Sequence, residues 1–165
     1  MFDYKTYNNV DLKGKKILLR VDINSNIDVE NNKIRESPRI HALIPTLKEL
    51  KNSAVVIIAH QSRPGLKDFT SLSLHAKEIK KLMDRPINYV NDVFGKKAIQ
   101  AIKDLKVREV LILNNVRIWN TENKSFNNFA EAEKTEMIQA LAPLFDYIIA
   151  DAFGISWKIF NTRYA

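Results

Sequence analysis

Four short motifs in this sequence carry arginine, histidine, aspartate and asparagine residues directly after apolar runs of strand length. The motifs are Arg20-Val21-Asp22-Ile23-Asn24, His60-Gln61-Ser62-Arg63-Pro64-Gly65, Asn114-Asn115-Val116-Arg117 and Asp151-Ala152-Phe153-Gly154. Arginine binds phosphate and carboxylate oxygens through a planar fork of donors and is permanently charged. These residue types in this arrangement favour the binding of a small phosphorylated acid.

The apolar runs predict the strands that position these motifs. They cover residues 16–22, 54–59, 110–113 and 147–150. An open α/β sheet binds its ligand outside the carboxyl ends of its strands. If the four strands are parallel, their carboxyl ends form one rim, which is then an anion site. The basic residues expected at this rim are Arg20, His60, Arg63 and Arg117.

Predicted helices alternate with these strands. Ser37 is a plausible N-cap with Pro38 at the first helical position, and apolar residues then recur at helical spacing. Further helices are predicted over 73–83, 96–105 and about 127–144, with a short strand over 87–90 and a turn-rich segment up to about 33. The alternation predicts a three-layer α/β/α Rossmann-like domain with a mostly parallel sheet.

Composition limits the function further. The 165 residues amount to about one domain, 45% are hydrophobic, and the net charge is +7. This charge fits nucleic-acid binding, an anionic small ligand or a solvated basic surface, and the lysines form no long run. With no cysteine, disulfides, thiolate catalysis and cysteine metal sites are excluded. No signal peptide or bilayer-length apolar stretch is apparent, so we expect a cytoplasmic protein without membrane contact.

Several classes of enzyme lack their motifs in this sequence. A dinucleotide fingerprint or a P-loop needs clustered glycines, whereas the four glycines here are scattered. The three histidines share no metal-ligand spacing, and no Gly-x-Ser-x-Gly elbow occurs. We therefore expect neither a metal site nor a serine hydrolase.

The motifs together resemble the N-terminal domain of phosphoglycerate kinase, in the same order and at similar separations. The resemblance extends from about Asp11 to Gly154. It rests on Lys13-Gly14-Lys15-Lys16, Leu18-Leu19-Arg20-Val21-Asp22-Ile23-Asn24, Arg39-Ile40, His60-Gln61-Ser62-Arg63-Pro64, Asn115-Val116-Arg117 and Asp151-Ala152-Phe153-Gly154.

The resemblance implies a substrate and a division of labour. In this family the N-terminal domain holds 3-phosphoglycerate or 1,3-bisphosphoglycerate, and a separate C-terminal domain holds Mg-ADP or Mg-ATP. Hinge closure then allows phosphoryl transfer between ATP and the carboxylate of 3-phosphoglycerate. The nucleotide domain is expected to be absent from this chain, which by itself should be inactive.

The family pattern also implies roles for individual residues. Asp22 and Asn24 match the pair that orients the hydroxyl and carboxylate region of the substrate. The residues that match the basic patch around the substrate phosphate are Arg39, His60, Arg63 and Arg117, with Arg20 as a further basic residue nearby. Arg39 is also implied as the catalytic residue that stabilises the transferring phosphoryl group.

Three departures from the family pattern affect this site. Trp157-Lys158 stands where the family usually has His-Arg, so Lys158 is the expected substitute for the last phosphate-binding arginine. Ser62 replaces the usual glycine before Arg63, and Asn114 replaces the usual glutamate before Asn115. We expect these changes to weaken the site.

The organisation expected from the sequence is one domain over residues 1–154 and a divergent tail over 155–165. The expected partner is the small molecule phosphoglycerate, not nucleic acid, with self-association or a nucleotide domain supplied in trans as further possibilities. Two other functions remain open. One is a stand-alone anion-binding or regulatory module, and the other is a nucleic-acid-binding protein, whose affinity would depend steeply on salt.

Overall fold

Strands and helices alternate along the described part of the chain, which comprises residues 10–123 and 128–151 of the computed structural model. The strands are β1 (Lys16–Val21), β2 (Asn26–Asp28), β3 (Lys33–Glu36), β4 (Ala54–Ile58), β5 (Ile87–Tyr89), β6 (Val110–Ile112) and β7 (Tyr147–Asp151). The helices are α1 (Pro38–Glu49), α2 (Ser73–Leu82), α3 (Lys96–Asp104), α4 (Phe129–Glu133) and α5 (Glu136–Leu141). Within the described ranges, no helix has the length and apolar character needed to cross a membrane.

Five strands form one parallel sheet in the order β5-β6-β4-β1-β7. Strand β1 pairs with β4 on one side and β7 on the other, so that Leu18 lies opposite both Val56 and Ile148. β4 is buried along its whole length, as expected for a strand that is covered on both faces. The predicted α/β fold with a mostly parallel sheet is confirmed.

Alternate residues of the strands point to opposite faces of the sheet and build two separate cores. On one face, Leu19 packs in a cluster with Leu43 of α1 and Ile79 of α2. On the other face, Leu18 packs in a cluster with Ile102 of α3 and with residues of α5. The sheet is therefore the middle of three layers, as predicted.

The segment between β1 and α1 differs from the sequence prediction. Part of the predicted turn-rich stretch and the residues after it form an antiparallel hairpin of β2 and β3. Its turn is closed by the Asp28 carboxylate, which accepts a hydrogen bond from the Asn31 backbone N–H at 3.1 Å, and Asn32 has a φ of +49°. These short strands are rich in polar residues, so no apolar run marks them.

The prediction of one long helix over about 127–144 is wrong for the described residues of this range. Helix α4 ends at Glu133 and α5 starts at Glu136. Between them Thr135 is extended, with φ −71° and ψ 145°. Its backbone N–H and its hydroxyl both donate to the Ala132 carbonyl, at 3.1 and 2.8 Å. This local pairing replaces the helical hydrogen bond and turns the chain.

Helix α1 begins at the predicted position, with Ser37 as N-cap and Pro38 in the first turn. The Ser37 hydroxyl does not cap the helix by a hydrogen bond. Instead the Ser37 carbonyl accepts from the backbone N–H of His41 at 3.0 Å. The start of α1 matters for function because its first turn carries Arg39.

Candidate anion-binding site

The carboxyl ends of β1, β4 and β6 bring predicted site residues to one edge of the sheet. Asp22 and Asn24 follow β1, His60 and Arg63 follow β4, and Arg117 lies in the 3-10 turn that follows β6. Since β1 and β6 are both parallel neighbours of β4, their ends lie side by side. The rim predicted from the sequence is therefore formed by these three segments.

Arg39 reaches this rim from the first turn of α1. Its Nη1 donates to both carboxylate oxygens of Asp22 at 2.6 Å. The Arg39 side chain is half exposed, and Asp22 is partly exposed. The Asp22 carboxylate also accepts from the backbone N–H of Asn24 at 3.2 Å. Asp22 thus holds both Asn24 and Arg39 at the edge of the sheet.

Ser62 joins the three loops of the rim. Its backbone N–H donates to Oδ1 of Asn24 at 2.8 Å, and its carbonyl accepts from Nη1 of Arg117 at 2.7 Å. Its hydroxyl donates to Oδ1 of Asp68 at 2.5 Å. The φ of Ser62 is +57°, in the left-handed region that favours glycine. This left-handed φ explains why the family pattern has a glycine at the position of Ser62.

The electrostatics around His60 show an excess of positive charge. Burial is the largest cause that lowers the pKa of His60, the nearby charges of Arg117, Arg20 and Arg39 add to it, and Asp22 opposes them, so that the pKa is about 4. The imidazole is therefore neutral at pH 7. A group that resists protonation beside several guanidinium ions marks a place where a bound anion is favoured.

Arg117 experiences the same crowding of positive charge. Burial lowers its pKa, the Glu122 carboxylate raises it, and Arg63 and Arg20 lower it. A guanidinium stays charged in a protein despite such a shift. An anion bound between Arg63 and Arg117 would relieve their repulsion.

The sequence predicts Arg20 at the rim, whereas the structure buries its side chain behind the rim. Its side chain is 4% exposed, and Nη2 forms an ion pair of 2.8 Å with Glu122, whose side chain is 2% exposed. The structure gives Arg20 an indirect effect through its charge on His60, and direct ligand binding by Arg20 stays a prediction. Sequence reasoning missed Glu122, which lies in a polar stretch without any motif.

Two further polar residues at the rim carry no predicted role, although both stand inside the motifs. Gln61 and Asn115 are completely buried. Asn115 also accepts a hydrogen bond from the backbone N–H of Arg117 at 3.2 Å. Their only sequence signal is their position between an apolar strand and the basic residues that follow it.

Lys158, Trp157 and the Ala152-Phe153-Gly154 part of the fourth motif lie outside the described residues, and their roles stay predictions. So does the domain boundary after residue 154. The backbone of Asp151 ends β7 opposite Val21.

The described residues were compared with what a nucleotide and its magnesium ion need. In residues 10–123 and 128–151, no three His, Asp or Glu side chains are grouped so that they could hold a metal. The glycines in this part, Gly14, Gly65 and Gly95, are far apart in sequence and form no phosphate loop. We therefore assign no nucleotide-binding or magnesium-binding contact to the described residues.

The fold and the rim define a class of protein: an α/β domain with a cluster of basic side chains at the carboxyl ends of its parallel strands. The particular family follows from a family model described as phosphoglycerate kinase, which matches residues 7–162. The chain belongs to the phosphoglycerate kinase family.

Individual relatives agree with this assignment. The phosphoglycerate kinase of Saccharolobus solfataricus is 46% identical over 160 residues, which are 93% of this chain and 38% of the relative. That of Methanocorpusculum labreanum is 40% identical over 156 residues, with 94% of this chain and 38% of the relative covered. The crystal structure of the Pyrococcus horikoshii phosphoglycerate kinase superposes with a TM-score of 0.88 at 34% identity, covering 94% of this chain and 38% of that chain. The chain therefore spans less than half the length of these relatives.

Proposed function

We propose that this chain forms the part of a phosphoglycerate kinase that binds 3-phosphoglycerate or 1,3-bisphosphoglycerate. The parent reaction is phosphoryl transfer between ATP and the carboxylate of 3-phosphoglycerate. Family membership supports this proposal, and the chemistry of the rim supports it independently.

The observation that carries the proposal is the convergence of arginines at the rim: the charges of Arg39 and Arg117 act on His60, and that of Arg63 acts on Arg117. Arg39 comes from α1, Arg63 from the loop after β4 and Arg117 from the turn after β6. A phosphate monoester carries about 1.5 to 2 negative charges at pH 7. Guanidinium forks match phosphate oxygens in geometry as well as in charge. A dianionic phosphate is therefore the ligand that these groups favour.

Asp22 and Asn24 fit the other end of a phosphoglycerate molecule. An ionised carboxylate accepts hydrogen bonds but donates none, so Asp22 suits a ligand hydroxyl rather than a phosphate. Asn24 can donate through Nδ2 while its Oδ1 holds the Ser62 N–H. The pair therefore favours a hydroxy acid over inorganic phosphate.

Arg39 combines both parts of the proposed site. It is bound to Asp22 and is still half exposed at the rim. The transition state of phosphoryl transfer is metaphosphate-like, and it is stabilised by positive charge and fixed donors. We infer that Arg39 supplies this charge when a nucleotide faces the rim.

The test is calorimetric titration of the chain with 3-phosphoglycerate. We expect weak binding that weakens further with salt, because partly exposed charges are screened. Arg39→Ala and Arg117→Ala should each cost about 1.5 to 3 kcal/mol of binding free energy, the range for hydrogen bonds to charged groups. The matched control is Arg35→Ala. Arg35 is an exposed arginine of β3 that pairs with Asp28 at 3.4 Å, and its loss should not change the affinity.

Two results would contradict the proposal. The first is an absence of phosphoglycerate binding at millimolar ligand by a correctly folded chain. The second is equal weakening by Arg35→Ala and Arg117→Ala, which would indicate a diffuse charge effect. Binding of a DNA duplex that phosphoglycerate fails to displace would favour the nucleic-acid-binding alternative instead.

A further inference from the structure

Two buried carboxamides, Gln61 and Asn115, each bind both the N–H and the C=O of a single backbone residue. The Asn115 Oδ1 accepts from the backbone N–H of Gln61 at 3.3 Å, and its Nδ2 donates to the Gln61 carbonyl at 2.8 Å. The Gln61 Oε1 accepts from the backbone N–H of Ser25 at 3.0 Å, and its Nε2 donates to the Ser25 carbonyl at 3.0 Å. We call these contacts the carboxamide relay.

The relay continues the sheet beyond the ends of its strands. The β1–β4 pairing ends at Arg20 with Ile58, and the β4–β6 pairing ends at Ile57 with Ile112. Beyond these points, the side-chain carboxamides of Gln61 and Asn115 supply the hydrogen-bond donor and acceptor that the backbone of a neighbouring strand would otherwise supply. Because both groups of one backbone residue are bound, the relay fixes the distance and the rotation of the adjoining loops.

Each member of the relay adjoins a residue of the proposed site. Asn24 directly precedes Ser25. Ser62 directly follows Gln61 and donates its N–H to Oδ1 of Asn24 at 2.8 Å. The Arg117 backbone N–H donates to Oδ1 of Asn115 at 3.2 Å. A shift of either carboxamide would therefore move proposed ligand groups relative to one another.

We propose that Gln61 and Asn115 are positioning residues for phosphoglycerate, because they set the mutual placement of the three loops that supply its ligands. The role in binding rests on the proposed function. The role in loop placement is a property of the chain alone and can be measured without any ligand.

His75 secures the orientation of the Gln61 carboxamide from helix α2. Ser25 fixes Oε1 of Gln61 as the acceptor, so the Nε2 of His75, at 3.1 Å from this oxygen, must carry a hydrogen and donate. Burial lowers the pKa of His75 to about 4, so the neutral ring persists at pH 7. On the other side of the Gln61 carboxamide lies the Asp68 carboxylate, whose Oδ2 is 3.5 Å from Nε2 of Gln61.

The principal variant is Gln61→Met, which keeps the length of the side chain and removes its hydrogen bonds. We expect faster amide hydrogen exchange at Ser25 and weaker 3-phosphoglycerate binding, on the order of tenfold or more, since small misplacements of binding groups are costly. The control is Ser53→Ala. Ser53 is buried at the opposite end of the sheet, and its hydroxyl donates to the Leu12 carbonyl at 2.7 Å. Ser53→Ala should lower the stability of the chain without changing amide hydrogen exchange at Ser25 or the binding of 3-phosphoglycerate.

Gln61→Glu provides a second variant that keeps the shape. At pH 7 an ionised carboxylate cannot donate to the Ser25 carbonyl, and it lies close to Asp68. Protonation restores one donor. We therefore expect the affinity of this variant, relative to wild type at the same pH, to recover as the pH is lowered from 7 towards 5. A role in global stability alone would change the free energy of unfolding with pH but leave the affinity of the folded chain unchanged.

The outcomes separate this inference from the proposed function. If wild type binds 3-phosphoglycerate and Gln61→Met binds it as wild type does, the positioning role is overturned. If wild type binds no phosphoglycerate, the proposed function fails together with the role in binding. Amide hydrogen exchange at Ser25 then tests only the role in loop placement. Exchange at Ser25 that is unchanged in Gln61→Met overturns the relay in either case.

Discussion

One nitrogen of Arg39 lies 2.6 Å from both carboxylate oxygens of Asp22, across the gap between helix α1 and the end of β1. This ion pair joins a group suited to phosphate with a group suited to a hydroxyl. Its negative member partly cancels the positive charge of the rim, and we therefore expect it to favour a ligand that offers a hydroxyl as well as a phosphate.

Asp22→Asn should therefore change the preference between ligands. We expect inorganic phosphate to bind about fivefold more tightly, because removing a partly exposed charge a few ångströms away changes the free energy by about 1 kcal/mol. Binding of 3-phosphoglycerate should gain less or weaken. Calorimetry with both ligands measures the ratio. Asp104→Asn, which removes an exposed carboxylate from the last turn of α3, should leave the ratio unchanged.

The His60 and His75 pKa values of about 4 predict how stability depends on pH. The unfolded chain takes up these protons near pH 6.5, whereas the folded chain takes them up only near pH 4. The stabilisation is therefore fully present above pH 6.5 and is lost as the pH falls from 6.5 towards 4. Urea unfolding across this range measures it, and stability that rises on acidification would contradict the assignment.

Arg117→Ala should raise the pKa of His60 while leaving that of His75 unchanged. Arg117 is the first of the neighbouring charges that lower the pKa of His60. His75 owes its low pKa to burial. NMR titration of both imidazoles in one sample measures the two values, so that His75 serves as an internal control. Equal shifts of both would indicate a general loosening of the fold.

Glu122→Gln should destabilise the chain by about 3 to 5 kcal/mol, because it leaves the buried charge of Arg20 without its counter-charge. Urea denaturation at pH 7 measures the free energy of unfolding. The matched control is Glu78→Gln, which breaks the exposed pair of Glu78 with Lys81 at 2.7 Å and should cost less than about 1 kcal/mol. Similar effects of the two substitutions would show that the Arg20 pair is hydrated.

Ser62 allows backbone strain to be separated from a side-chain contact. Ser62→Ala and Ser62→Gly both lose the hydrogen bond to Asp68. Only alanine keeps a Cβ at the φ of +57°. We expect the glycine variant to be the more stable of the two by about 1 to 2 kcal/mol, the cost of the left-handed conformation for a residue with a Cβ. Equal stabilities in thermal unfolding would show that the strain is relieved elsewhere.

Gly95 and Asp92 predict a steric effect at the start of α3. A Cβ at Gly95 would lie 2.7 Å from Oδ2 of Asp92, an oxygen that accepts from the Ala98 N–H at 3.0 Å. Gly95→Ala should displace this carboxylate and cost about 1 kcal/mol, the usual value of a lost helix cap. Gly65→Ala provides a comparison, since its φ of +90° strains the backbone although nothing lies within 4 Å of the added Cβ.

Asp92 also contributes to acid sensitivity. Burial alone would raise the pKa of its carboxyl, but hydrogen bonds from the N–H groups of Ala98, Gly95 and Val93 outweigh burial and lower the pKa from 3.8. This stabilisation is present above pH 3.8 and is lost as the pH falls below it. Asp92→Asn should therefore be less stable than wild type at pH 7, and its stability should approach that of wild type in strong acid.

The sequence allowed the main strands to be predicted because their signal is local. The apolar runs that end near Val21 and Ile58 match β1 and β4 to within one or two residues. The hairpin of β2 and β3 could not be predicted in the same way, since its short polar strands form only through pairing with each other. The end of α4 was missed because it depends on the backbone of Thr135 rather than on a helix-breaking residue.

The sequence by itself determined that this chain has a parallel α/β sheet with basic residues after its strands, because periodicity and strand ends are properties of neighbouring residues. Only the tertiary structure decided which charges face the rim. Arg20 is neutralised inside by Glu122, while Arg39 is held at the surface by Asp22. These pairings, and the relay through Gln61 and Asn115, join residues far apart in sequence, and their energies depend on burial and on distances that the folded chain alone sets.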